Sequence, residues 1–178
     1  MTENKNSCNG CDTQSCENGD ACSDEKRLAS RLSAIKQVVV VLSGKGGVGK
    51  STVAANLAAS LALSGYKTGL LDADIHGPST PHLFRLHDVQ LTGSEHAIDP
   101  VKVTESLHVM SVGFLVTEPD APVIWRGPMK ANVLRQLLGD VAWGTLDYLV
   151  VDLPPGTGDE PLSVCQLLPE ANAIVVST

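Results

Sequence analysis

A chain of 178 residues with 43% apolar content is long enough for one domain with a sizeable core. Only six residues are aromatic, so short aliphatic side chains supply that core, which favours buried parallel strands under Ala/Leu helices over an antiparallel sandwich. The net charge of −7 offers no basic footprint for nucleic acid, no apolar run approaches the ~18 residues of a membrane span, and the polar, acidic start excludes a secretory signal; the chain is read as cytoplasmic, with neither nucleic acid nor membrane as partner.

Residues 1–23 are rich in Asn, Ser, Gly, Asp and Cys and cannot bury enough surface to fold alone, so they are read as a flexible tail ahead of a domain over 24–178. The tail holds Cys8, Cys11, Cys16 and Cys22, spaced C-x2-C-x4-C-x5-C. Disulfides suit a reducing compartment poorly, whereas four thiolates this close can wrap a metal centre and order the segment. Zinc and an iron–sulfur cluster both accept four cysteines, and an unliganded tail is the third reading. Residues 24–35 place Leu28, Leu32 and Ile35 at helical spacing, a lead-in helix packed on the domain edge.

The run Gln37–Leu42 reads as a buried strand, and Ser43-Gly44-Lys45-Gly46-Gly47-Val48-Gly49-Lys50-Ser51-Thr52 follows it directly. Strand, glycine loop and helix in that order form a phosphate loop. The glycines let backbone N–H groups close around phosphate oxygens, Lys50 reaches the β- and γ-phosphates, and the Ser51 hydroxyl suits Mg²⁺. The same residues also satisfy G-x-G-x-x-G, the dinucleotide fingerprint, but a pyrophosphate site needs neither Lys50 nor Ser51. The helix is expected to bury a face of Val53, Leu57 and Leu61 and to stop at Gly65.

Lys67–Leu71 reads as a second strand, ending in Asp72-Ala73-Asp74-Ile75-His76-Gly77-Pro78-Ser79. Carboxylates at the carboxyl end of a parallel strand face the ligand edge; one can hold Mg²⁺ through water and the other can orient an attacking water. The plainer reading has both capping the turn. His76 reads as positional. Residues 84–106 are weakly periodic and read as a mobile excursion with a short hairpin, followed by a strand over 107–112. Arg126 reads as a surface arginine, and Met129, Val133, Leu137 and Val141 as one helix face with Pro128 in its first turn. Leu146–Asp152 is a buried strand that carries Asp152 to the carboxyl edge in a Walker B role, with a Gly/Pro switch after it. The second acid and the switch count against a dinucleotide site. Pro161–Leu168 reads as a helix with Cys165 in the core, and Ala173–Ser177 as another buried strand. The fold class is therefore α/β, a mostly parallel sheet with helices on both faces.

Taken together, these motifs resemble the deviant Walker A ATPases, P-loop NTPases of the SIMIBI type. The stretches Leu70–Ser79, Trp125–Met129 and Val150–Asp159 are similar to the Mrp/ApbC iron–sulfur cluster carriers, and the resemblance covers residues 25–178. It implies an ATP- and Mg²⁺-binding homodimer that holds a labile 4Fe-4S cluster and passes it to apo iron–sulfur proteins. Lys45 is implied to reach the partner subunit's nucleotide, Lys50 and Ser51 to serve phosphate and metal, Asp74 the attacking water, and Asp152 the metal shell, which Asp72 is expected to join from its place at the end of the second strand. Some members carry an N-terminal cysteine cluster, although the spacing of Cys8, Cys11, Cys16 and Cys22 differs from the expected pattern. The family's bridging C-x-x-C has no counterpart after Cys11, which implies either a fragment or a cluster held by the tail. Two further readings are a positioning ATPase that cycles on a membrane or DNA surface and an NTPase with a zinc-binding tail.

Overall fold

The computed structural model describes residues 19–74, 77–86, 89–94, 97–115, 127–156, 164 and 166–178, with backbone alone at 19–24 and 127–132. The elements are α1 (Gly19–Ser33), β1 (Ile35–Leu42), α2 (Lys50–Leu63), β2 (Thr68–Asp72), α3 (Thr80–Leu83), β3 (Gly93–Ser94), β4 (Ala97–Ile98), β5 (Val101–Lys102), β6 (Leu107–Ser111), α4 (Gly127–Gly139), β7 (Leu146–Asp152) and β8 (Asn172–Val175). Six strands form one sheet in the order β5-β6-β2-β7-β1-β8. Every pairing in it is parallel except β5 with β6. The expected short hairpin is β3 with β4.

Period-two alternation in the central strands feeds two cores, one on each face. Val40, Leu71, Met110, Leu149 and Val151 join Leu134, Leu137 and Leu138 of α4, with Leu28 and Leu32 of α1 packed against them. Val41, Leu70, Val109 and Val150 instead meet Ala54, Ala55 and Ala58 of α2. Burying each large aliphatic side chain contributes about 1.5–3 kcal/mol, which is why uninterrupted apolar strands sit at the centre of this sheet. Helices thus cover both faces. Among the described residues, no helix is long and apolar enough to cross a membrane.

Several expectations shift. Helix α1 begins at Gly19, inside the segment read as tail. Helix α2 buries its alanines; Leu57 and Leu61 lie half-buried at the flank, and Val53 is 38% exposed. Small side chains let the helix axis approach the sheet, so the leucine ridge is displaced sideways. The helix does stop at Gly65, in the left-handed region with φ 91°. Tyr66 N–H donates to the Leu61 carbonyl and Gly65 N–H to that of Ala62, a Schellman ending. Val141 lies beyond α4, buried in an isolated bridge to Ile98. Strand β8 is not buried: it pairs with β1 at the sheet edge, and Val175 is 68% exposed. Of the expected helix at 161–168, backbone at 164 and 166–167 is helical.

The parallel order positions the site. Strand β7 lies between β1 and β2, in register Val41↔Asp152 and Asp72↔Asp152. The glycine loop after β1 and the carboxylates ending β2 and β7 therefore share one edge, where open parallel sheets bind ligands.

Candidate functional site

The loop between β1 and α2 turns on Gly47 (φ 78°) and Gly49 (φ 88°). Both are in the left-handed region, which a side chain would strain. Gly49 is the N-cap of α2, and its carbonyl accepts from Val53 N–H at 2.9 Å, so the helix starts at Lys50. Ser43 Oγ donates to the Lys45 carbonyl at 3.0 Å, and the Ser43 carbonyl accepts from Gly156 N–H at 2.9 Å. These two bonds close the loop on itself and tie it to the turn after β7.

A cleft of about 340 Å³ opens above the loop. Lys45, Gly46, Gly47, Gly49, Lys50, Ser51 and Thr52 of the loop and the start of α2 line it, together with Asp74, Ser79, Leu83 and Pro155. Gly44 and Lys45 are exposed and Val48 is half-buried in the same loop. Lys50, only 6% exposed, donates to Asp152 Oδ1 at 2.6 Å and to Ser51 Oγ at 3.2 Å, with Asp74 Oδ2 at 3.9 Å. A buried ammonium thus stands among three oxygen-bearing side chains.

Asp152 is fully buried, and burial pushes its carboxyl above the usual carboxylate range. The Lys50 and Ser51 hydrogen bonds and the Lys50 charge work the other way, while the Asp74 charge adds to the rise. Its Oδ2 is buried with no hydrogen-bond partner among the described residues. An orphaned carboxylate oxygen near the Ser51 hydroxyl is a hard-oxygen donor set that fits Mg²⁺. Among the described residues, no cluster of three or more His, Cys, Asp or Glu could hold a metal by itself. Mg²⁺ takes one or two protein ligands and completes its shell with phosphate and water.

Asp72, expected in the metal shell, has both carboxylate oxygens hydrogen-bonded within the chain. Its Oδ1 accepts from Asp74 N–H at 3.1 Å, and its Oδ2 accepts from Thr80 N–H at 3.0 Å and Ser111 Oγ at 3.2 Å. It is 0% exposed and does not line the cleft. Burial raises its pKa, the bonds from Thr80 and Asp74 oppose the rise, and the Asp152 charge reinforces it. With both oxygens committed, Asp72 organises the turn that delivers Asp74 to the cleft. These bonds are those that the capping reading describes, whereas Asp74 lines the cleft. Ser111 carried no sequence signal, because it meets Asp72 through the β2–β6 register Asp72↔Ser111. Pro155, in the turn after β7, joins the cleft because Gly156 N–H ties that turn to the Ser43 carbonyl.

Cys8, Cys11, Cys16, His76, Arg126, Cys165 and residues 157–160 of the switch lie outside the described residues, as does the Cys22 side chain.

The geometry has relatives. Residues 34–178 match the family model described as ParA, NUBPL iron-transfer P-loop NTPase. The chain is 46% identical over 181 residues to the iron-sulfur cluster carrier protein of Methanocaldococcus jannaschii, covering 96% of this chain and 62% of that protein. It is 49% identical over 152 residues to the cytosolic Fe-S cluster assembly factor Nubp2 homolog of Drosophila sechellia, covering 83% and 58%. A nucleotide-binding protein from Archaeoglobus fulgidus, solved in complex with ADP, superposes with a TM-score of 0.75 at 46% identity, over 87% of this chain and 59% of that one. The septum site-determining protein of Pyrococcus horikoshii, at 21% identity and a TM-score of 0.51, shares the fold. The chain spans about six tenths of the length of these carrier relatives.

Proposed function

The chain belongs to the NUBPL-type iron-transfer P-loop NTPases, and from that premise we propose that it is the nucleotide-binding part of an iron–sulfur cluster carrier or scaffold. In this reading it binds ATP, hydrolyses it slowly, and as a cytoplasmic homodimer assembles 4Fe-4S clusters for delivery to apo iron–sulfur proteins. The observation that carries the nucleotide half is Lys50, buried beneath the glycine loop at 2.6 Å from Asp152. The cluster half rests on the carriers and assembly factors to which the chain is similar.

The residues divide the work as follows. Amides of Gly44–Thr52 and the ammonium of Lys50 hold the phosphates, and because Lys50 is already surrounded by carboxylates, phosphate binding exchanges one anionic partner for another. Ser51 and Asp152 would hold Mg²⁺, which when bound offsets charge on the phosphate oxygens. Asp74, lining the cleft, orients the attacking water. Lys45, exposed in the cleft lining, is free to extend toward the nucleotide of a second subunit. Positioning and electrostatics are all that phosphoryl transfer asks of the protein, and they suit slow turnover in a chain that depends on its partner. The cluster is cargo, and Cys8, Cys11, Cys16 and Cys22 are its candidate ligands in this chain.

Anaerobic reconstitution with iron and sulfide tests the cargo half. A brown protein with charge-transfer absorption is expected, and Cys16→Ala with Cys22→Ala should bleach it; full colour in that variant would remove the tail from the assignment. Zinc in protein purified without oxygen, with no iron uptake, would favour the zinc-tail reading. For the nucleotide half, Lys50→Ala should abolish ATP turnover, and equal rates in both proteins would overturn the assignment.

A further inference from the structure

Ser79 stands immediately before α3, where a serine oxygen ordinarily accepts from a backbone N–H of the first helical turn. It makes no such bond. The first N–H of that turn, Thr80, is instead taken by Asp72 Oδ2 at 3.0 Å. The Ser79 hydroxyl is nonetheless buried, and it has no hydrogen-bond partner among the described residues. A hydroxyl removed from water without a partner is costly, so its placement calls for a ligand or a reason.

Its surroundings supply one. Ser79 lines the phosphate-loop cleft, and with Asp74, Leu83 and Pro155 it is contributed from outside the loop and α2. Asp74 is an anion and Leu83 and Pro155 are apolar, so among these described side chains Ser79 is the one able to donate to a phosphate oxygen. The segment that carries it is braced from behind. Asp72 fixes both ends of the turn, at Asp74 and Thr80, and Ser111 fixes Asp72. Pro78 and Pro81 pack so closely on Gly113 that a Cβ there would come within 3.1 and 3.3 Å of them. With its backbone braced and its oxygen closed to water, the Ser79 hydroxyl reaches the cleft by rotation about the Cα–Cβ bond, a change of rotamer that leaves the braced turn in place.

We propose that Ser79 is a nucleotide-contacting residue whose hydroxyl donates to the terminal phosphate of a bound nucleoside triphosphate, and so separates triphosphate from diphosphate. The proposal rests on the nucleotide reading above and adds to it the residue that senses the last phosphate. The phosphate loop holds the phosphates that ATP and ADP share as well as the last one; Ser79 answers only to the last.

Calorimetric titration of the wild-type chain, Ser79→Ala and Ser79→Thr with ADP and with a non-hydrolysable ATP analogue, all in the presence of Mg²⁺, tests this. Ser79→Ala should lose about 10- to 100-fold in affinity for the triphosphate, the worth of a hydrogen bond to a charged oxygen, and hold ADP within about twofold of wild type. Ser79→Thr, which keeps the hydroxyl, should restore triphosphate affinity. The urea midpoint of Ser79→Ala should stay level or rise, because an unpartnered buried hydroxyl has been removed. An equal loss for both nucleotides, no loss for either, or an affinity loss accompanied by a fall in urea midpoint would overturn the proposal. If the wild type binds both nucleotides and Ser79→Ala matches it, Ser79 alone is refuted. If the wild type binds neither, the nucleotide reading falls and takes this inference with it.

Discussion

Strand β7 carries an aspartate near each end, and a lysine holds each one at nearly the same distance: Lys36 to Asp147 at 2.7 Å and Lys50 to Asp152 at 2.6 Å. Length says nothing about what the pairs do. Lys36 is 70% exposed and Asp147 24%, whereas Lys50 is 6% exposed and Asp152 0%. At the open end the Lys36 hydrogen bond, with help from Lys67 N–H, lowers the Asp147 pKa. At the closed end burial outweighs the lysine and the Asp152 pKa rises. The same contact is a mild surface clasp at one edge and an electrostatically loaded site at the other. Desolvation makes the difference.

The largest effect that would sharpen this contrast is Asp152→Ala. Removing one partner of a buried pair leaves Lys50 with Asp74 at 3.9 Å in place of a carboxylate at 2.6 Å, and should cost about 3 kcal/mol or more of unfolding free energy in urea. A loss no greater than that of Lys36→Ala would erase the distinction between the two ends. Asp72→Ala comes next, at about 2–3 kcal/mol, since a buried Ser111 hydroxyl and two backbone N–H groups lose their acceptor. An unchanged urea midpoint together with lost Mg²⁺ dependence of nucleotide binding would return Asp72 to the metal shell.

The smallest shift belongs to Lys36→Ala, whose effect on the urea midpoint should vanish at about 1 M salt, where the screening length is ~3 Å. Acid titration separates the two ends by sign. Asp147 has a lowered folded pKa, so its contribution is present above the ordinary value of 3.8 and is lost as pH falls through the lower folded value. Asp72 and Asp152 have raised folded pKa values, so their part of the stability declines as pH rises from 3.8 through those values. Urea midpoints between about pH 4 and 7 should therefore fall less steeply with rising pH in Asp152→Asn than in wild type. An identical slope would mean that Asp152 titrates like an exposed carboxylate.

The amphipathic logic of the chain was readable where one element decides its own environment. Valine runs became central strands, Gly65 ended α2, and the glycine loop sat between strand and helix as its spacing demands. Reading failed where a second element decides. Helix α2 buries alanines in place of its larger residues because the sheet beneath it sets the approach distance. Strand β8 is apolar in sequence and exposed in the fold because burial of a strand needs neighbours on its open side. Asp72 and Asp74 looked equivalent at spacing two, yet one is sealed under Ser111 and Thr80 and the other faces the cleft.

By itself the sequence determined the local chemistry: a loop that only glycine can turn at Gly47 and Gly49, an ammonium at Lys50, and carboxylates at strand ends. These follow from backbone sterics and side-chain type, which neighbours in the chain settle. Which carboxylate meets the lysine, which one is spent on hydrogen bonds, and which hydroxyl is left without a partner were decided by the placement of β7 between β1 and β2 and of β6 beside β2. Register and burial are properties of pairs of distant segments. They fix the dielectric around each charge, and no single segment carries that information.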